Sequence, residues 1–148
     1  MAKTTPRGIR NNNPLNIRYN ARNNWVGQTG SDGQFCKFSA PKYGVRAACK
    51  LLQKYAGNDG KTTVAEIINK WAPRNDGNDT EKYIATVCKE MNIRATDTID
   101  VHHRDTVVRL LWCMSCVECT RYALEAADIW IFDFIDGFEL AEYPYEKE

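Results

Sequence analysis

Glu118 is the acid in this chain whose surroundings best suit chemistry. It lies in "RLLWCMSCVECT", where Leu111, Met114 or Ser115, Glu118 and Tyr122 recur every three or four residues. That spacing puts them on one helix face. A carboxylate on an otherwise apolar stripe costs desolvation energy unless it has a partner or a task. The same surroundings raise its pKa, as a general acid working near neutrality requires. The structural alternative is a Glu paired with Arg46, Arg121 or a buried hydroxyl. The other acids have plainer uses. Glu66 completes a Thr63-x-x-Glu66 capping box, Asp32 sits in a Ser-Asp-Gly turn, and Asp79 stands at a helix start.

A second concentration of chemistry lies in "RGIRNNNPLNIRY", residues 7 to 19. Asn side chains compete for nearby backbone groups, so this run makes poor helix and poor strand. It reads as a loop, either a connector or a polar surface for a ligand rich in hydrogen-bonding groups. Cys113, Cys116 and Cys119 form C-x2-C-x2-C inside a helical run, with no fourth ligand at standard spacing. Metal-binding loops bend around their ion, so these cysteines read as small apolar packers. All six cysteines are expected reduced. His102 and His103 read as surface residues at a helix start. No metal or cofactor is expected.

The elements that must hold these groups follow from periodicity and punctuation. Residues 24–39 alternate around a turn and predict a short hairpin. Helical spacing runs through 40–57, with Tyr43, Ala47, Leu51, Leu52 and Tyr55 on one side. "KTTVAEIINKWAP" predicts a second helix ended by Pro73. "DTEKYIATVCKEMNI" predicts a third, capped by Asp79, with Tyr83, Ile84, Val87 and Met91 inward. "TDTIDVHH" is a connector with a helical turn. The longest helix runs through 104–127 and one more covers the aromatic tail "DIWIFDFIDGFELAEY". The sum is one mostly α domain with a small β-hairpin (α+β), across residues 1–148.

The composition, 43% hydrophobic and 26% charged, is that of an ordinary globular protein. No stretch approaches the roughly 20 apolar residues of a membrane span. "MAKTTPRGIR" has no apolar core, so synthesis in the cytoplasm without a secretion signal is expected. Charge is uneven: residues 1–60 carry ten Lys/Arg against Asp32 and Asp59, whereas 124–148 carry eight acids against Lys147. No nucleic-acid-binding motif accompanies the basic part. The acidic aromatic tail, residues 128–145, suggests a weaker reading as a docking segment for a basic partner.

Several separated blocks, in order, resemble a known family. These are "RGIRNNNPLNIRY", the W-x-G of Trp25–Gly27, F-x-x-F-x-x-P-x-x-G-x-R-A from Phe35 to Ala47, and II-x-x-WAP…N-x-T-x-x-Y from Ile67 to Tyr83. Together they resemble phage and prophage virion proteins with a lysozyme-like fold and, more distantly, the N-acetylglucosaminidases that cut the wall around flagella. The likeness is good over 7–92 and looser over 97–142. In the glucosaminidases the catalytic Glu precedes the Asn segment, but none of the ten residues before it here is acidic. The virion family has a late helix ending His-Glu-Asn-Gly, which places Glu118 at its Glu and implies a circularly permuted domain. Val117, Cys119 and Thr120 stand where the family has His, Asn and Gly. Without that Gly the helix is expected to run past Glu118.

The resemblance implies cleavage of β-1,4 bonds between the amino sugars of peptidoglycan, with Glu118 as acid. Asn11, Asn12, Asn13 and Asn16 would bond sugar hydroxyls and acetamido groups. Trp25 and Trp71 would offer flat faces to sugar rings. Arg10 or Arg18 would pair with lactyl or peptide carboxylates, and Tyr83 would orient the acetamido group or Glu118. With no second carboxylate convincingly placed, attack by the N-acetyl group or an intramolecular hydroxyl is favoured, with Asp32 a second acid only if the hairpin covers the cleft. Peptidoglycan strands and other virion proteins are the implied partners, reached from a virion or in the wall. The alternative is an inactive lysozyme-like module that binds wall or builds the virion.

Overall fold

The computed structural model describes residues 5–142. Elements follow in the order α1 (Arg7–Arg10), β1 (Gln28–Ser31), β2 (Cys36–Phe38), α2 (Pro41–Tyr55), β3 (Lys61–Thr63), α3 (Val64–Trp71), a 3-10 turn (Arg74–Asp76), α4 (Thr80–Met91), β4 (Thr98–Asp100), α5 (Arg104–Cys119), α6 (Arg121–Ala126) and α7 (Ile131–Glu142). The molecule is mostly helical, with two small antiparallel strand pairs. Among the described residues no helix is long and apolar enough to cross a membrane. Met1–Thr4 and the 143–145 end of the acidic aromatic tail lie outside the described residues.

Local chemistry sets most boundaries. Pro41 opens α2, its fixed φ suiting a first turn. The Thr63 side chain accepts from Glu66 N and starts α3, while Glu66 bonds the Thr62 hydroxyl instead of returning to Thr63. Asp79 accepts from Lys82 N and starts α4, and the His103 ring accepts from Thr106 N and starts α5.

Helix α5 is central. Leu110, Leu111 and Met114 are fully buried, and Trp112 meets Phe134 of α7 edge-on at 5.4 Å between centroids. Each such buried side chain contributes about 1.5–3 kcal/mol. Helices α2 and α7 approach closely because Gly137 leaves no side chain between them: a Cβ there would stand 2.6 Å from Val45.

Three expectations are corrected. The connector before α5 is a strand: Lys61, Thr62 and Thr63 pair with Asp100, Ile99 and Thr98. The helix over 104–127 is two helices, because it runs only one residue past Glu118. It stops at Cys119, and Thr120, at φ 73 and ψ 144, turns the chain and caps α6 through its side chain on Ala123 N. Tyr122 therefore leaves the Glu118 face and is exposed. The hairpin, α2, α3, α4 and the tail helix form where their periodicity places them.

Candidate functional site

The Asn-rich segment is built by its own amides. Asn13 is fully buried; its Nδ2 donates to the Ile17 and Cys36 carbonyls, each at 3.0 Å, and its Oδ1 accepts from Ile17 N. Asn12 Nδ2 donates to the Phe38 carbonyl, and buried Asn11 donates to Asp32 Oδ2. These three amides stitch the segment to the β1–β2 hairpin. In this structure the Asn11, Asn12 and Asn13 amides each donate to the chain itself. Asn12 and Asn16 both adopt φ 52, a left-handed conformation that Asn tolerates better than most residues.

Asn16 is the amide that reaches outward. Its Nδ2 donates to Glu118 Oε1 at 2.9 Å, across 102 residues of chain. What brings them together is a close contact of α1 with the end of α5. A Cβ on Gly8 would lie 2.6 Å from Cys119 Sγ and 3.0 Å from Asn16 Oδ1, so only glycine fits. The Cys119 thiol donates to the Pro14 carbonyl at 3.5 Å. The last cysteine of the C-x2-C-x2-C run is thus a clasp between the segment and α5. Burial pushes its thiol pKa up to about 12, which makes it inert.

From α4, the buried Tyr83 hydroxyl donates to Glu118 Oε2 at 2.9 Å, with the Met114 carbonyl 3.3 Å away. Burial and the neighbouring carboxylate push the phenol far above its usual range, so it stays protonated. Glu118 itself is half-buried. Burial raises its pKa, while the Asn16 and Tyr83 hydrogen bonds and the Arg18 charge pull against that rise. Its place in the last turn of α5 adds to it, because the negative end of the helix dipole disfavours a second negative charge. The arrangement holds one carboxyl with two neutral donors and a raised affinity for a proton, which is proton-donor chemistry.

The Asn16–Glu118 bond joins residues that line two different cavities. One, about 700 Å3, runs between α4 and α5 and includes Tyr83, Glu118, Lys82, Trp112 and Arg121. The other, about 380 Å3, includes Asn16, Arg18, Trp25, Tyr55, Lys70 and Trp71. Glu118 thus lines the larger cavity, and its partner Asn16 lines the smaller. The W-A-P block supports it: Trp71 Nε1 donates to the Leu15 carbonyl at 2.9 Å, and the Thr80 hydroxyl donates to the Ala72 carbonyl at 2.6 Å.

Of the residues singled out from sequence, Glu118, Asn16 and Tyr83 come together, and Trp25 lines the second cavity. Arg10 is exposed at the end of α1 and lines neither cavity. Asp32 belongs to its turn. It accepts from the Phe35 and Gln34 amides and from Asn11, with Arg7 at 3.3 Å, and these hold its carboxyl well below the usual range. Its oxygens are thus taken up by the turn, and it lines neither cavity. Cys113 and Cys116 face the first cavity along α5, and among the described residues no metal-binding group of three or more His, Cys, Asp or Glu forms. Lys70 and Tyr55 line the smaller cavity and Trp112 the larger, and no motif marks them.

No family model matches the chain. A stretch of 91 residues is 40% identical to "Protein P5" of Pseudoalteromonas phage PM2, covering 59% of this chain and 56% of that protein. The alignment thus spans about half the length of that relative. The chain thus has a phage protein as a relative over part of its length.

Proposed function

We propose that the chain is a phage-associated enzyme that cleaves β-1,4 bonds between the amino sugars of peptidoglycan, as a hydrolase or a lytic transglycosylase, with Glu118 as the acid. The observation that carries this reading is the Glu118 carboxyl at the end of α5, held by Asn16 and Tyr83 in the lining of the larger cavity. Early Asn-rich loop and late acid-bearing helix, meeting in space, support a circularly permuted lysozyme-like domain. The phage relative supports delivery with a virion, to act in the wall.

Protonated Glu118 donates to the glycosidic oxygen as the bond to the anomeric carbon breaks. Positive charge develops on the sugar. With Asp32 committed to its turn, the acetamido oxygen or the C6 hydroxyl of the same sugar attacks the anomeric carbon. In the first case water then opens the oxazolinium ion and its proton returns to the Glu118 carboxylate; in the second the hydroxyl proton returns there and leaves a 1,6-anhydro end. Asn16 and Tyr83 steer the carboxyl throughout, and Arg18 offsets its charge after proton transfer.

The test is muropeptide release from purified sacculi by wild type, Glu118→Gln and, as a control on an exposed helix cap, Glu66→Gln. Wild type and Glu66→Gln release fragments; Glu118→Gln loses about 10²–10⁴ of the rate. Equal release by all three assigns the wrong acid. A second reading, an inactive module that binds wall or builds the virion, is favoured by Val117, Cys119 and Thr120 standing where the resembled family has His, Asn and Gly. Sedimentation of the protein with sacculi, without release at any pH, supports that reading.

A further inference from the structure

Among the described residues, the large apolar side chains that stay exposed fall in two places. One is Tyr19, between the Asn-rich segment and β1. The other is the late part of the chain, with Val117, Tyr122, Trp130, Ile131 and Phe132. The last three are consecutive, and such an exposed apolar run marks a surface that something else covers. Trp130 is fixed in place: its indole N–H donates to Asp128 Oδ1 and its backbone N–H to Asp133 Oδ2.

The two places carry opposite charge. Residues 122–142 hold six acids and no Lys or Arg. Phe132, Asp136 and Glu139 share the outer face of α7. Both of these acids are exposed, and neither forms an ion pair among the described residues. Around Tyr19 the sign reverses. Tyr19 N donates to the Gln34 carbonyl, and the Arg7 guanidinium donates to the Gln34 side chain, so α1 and the hairpin tip share one face. Arg7 and Arg18 stand over the Phe35 ring at 4.9 and 5.2 Å. The acids beside them, Asp32 and Asp76, lie 3.3 Å from Arg7 and 4.0 Å from Arg18. Arg10 and Lys37 are exposed and form no ion pair among the described residues.

We infer that these two faces bind each other between copies of the chain: the acidic aromatic stripe of α7 docks on the basic aromatic face of α1 and the hairpin. Aromatic anchors ringed by opposite charges suit a specific contact. Two α7 stripes paired about a two-fold axis would set acid against acid, and an anionic bilayer would repel the same acids. Because the faces differ, the contact runs head to tail and grows into a ring or a filament. It does not depend on the role of Glu118.

Analytical ultracentrifugation of the full chain tests it, at concentrations up to about 1 mM, the weak end of binding affinity. Wild type forms species that grow past the dimer with concentration and shrink in high salt. Phe132→Ser with Asp136→Asn and Glu139→Gln removes one face; Arg10→Glu with Lys37→Glu removes the other. All five side chains are exposed, and a thermal melt checks that each variant is folded. Each variant alone is monomeric. Mixed in equal amounts they form a dimer that grows no further, because one intact face of each kind remains. A wild type that stays monomeric, or that stops at a dimer, overturns the inference whatever the variants do. So do variants that still self-associate alone, or that fail to meet when mixed. A monomeric wild type that sediments with zwitterionic vesicles gives the apolar run to a lipid surface instead, and one that ignores them leaves it to a different protein.

Discussion

Tyr83 and Glu118 are joined by a 2.9 Å hydrogen bond from a buried phenol to a carboxylate oxygen. The phenol stays protonated, so its proton is committed to Glu118 as a donor rather than passed on. Tyr83 therefore positions the acid and stabilises its charged form. Tyr83→Phe keeps the ring in the core and removes only the donor. The Glu118 pKa then rises further, because a bond that favoured the carboxylate is gone. A general acid works only when protonated, so the alkaline limb of the pH–rate profile moves to higher pH. The maximal rate falls by about tenfold, the scale of one charge-assisted hydrogen bond. An unmoved limb in a folded variant removes the positioning role.

Glu118 also sets a pH dependence of stability. Its folded pKa lies above the ordinary 4.5, so the folded state binds this proton more tightly than the unfolded state does. The stabilisation is fully present below about pH 4.5 and is lost as pH rises through the raised folded value. Glu118→Gln has no such term. The difference in melting temperature between variant and wild type should therefore move in the variant's favour from pH 4 to pH 7. Parallel melting curves across that range contradict a raised pKa.

Asn13 and Asn16 look alike in sequence and should behave oppositely. Asn13→Ala strips two donations and one acceptance from a fully buried amide, leaving the Ile17 N–H without its acceptor and the Ile17 and Cys36 carbonyls each short of one donor, although Ile17 keeps that of Cys36 N. Each buried unpaired group costs about 1–3 kcal/mol, so the fold is strongly weakened. Asn16→Gly keeps the left-handed φ 52 accessible and removes the amide from Glu118. It should melt within a few degrees of wild type while losing about tenfold or more in wall cleavage. Comparing melts with muropeptide release separates the two; a stable Asn13→Ala refutes the stitching role.

That contrast marks what the sequence can tell. Helix starts at Thr63 and Asp79 are legible because capping is local, as is the hairpin turn at Asp32. The polar run at 11–16 is legible as a loop, but which amides face inward is decided by the hairpin it touches, not by spacing. β4 escapes because three residues carry almost no alternation, and its partner lies near Lys61. The smaller cavity escapes because its lining is gathered from the Asn-rich loop, α2 and α3 by the Trp71–Leu15 bond and its neighbours. Glu118 was legible because a lone carboxylate on an apolar stripe needs an explanation; its two donors come from elements 35 and 102 residues away.

Thr120 is where the helix break becomes testable. A β-branched residue at φ 73 and ψ 144 is strained by about 1–3 kcal/mol. Glycine adopts that conformation freely, and glycine is what the resembled family carries at this point. Thr120→Gly also loses the side-chain cap on Ala123 N, but a cap replaced by Gly costs only a few tenths of a kcal/mol. The net expectation is a gain of about 1 kcal/mol, with Glu118 still in the last turn of α5. Thr120→Ala keeps most of the strain and loses the cap, so it should be destabilised by about 1 kcal/mol. Chemical denaturation of the two variants beside wild type reads the order directly. If Gly and Ala fall together below wild type, the cap outweighs the strain and the Thr120 side chain stabilises the break rather than straining it.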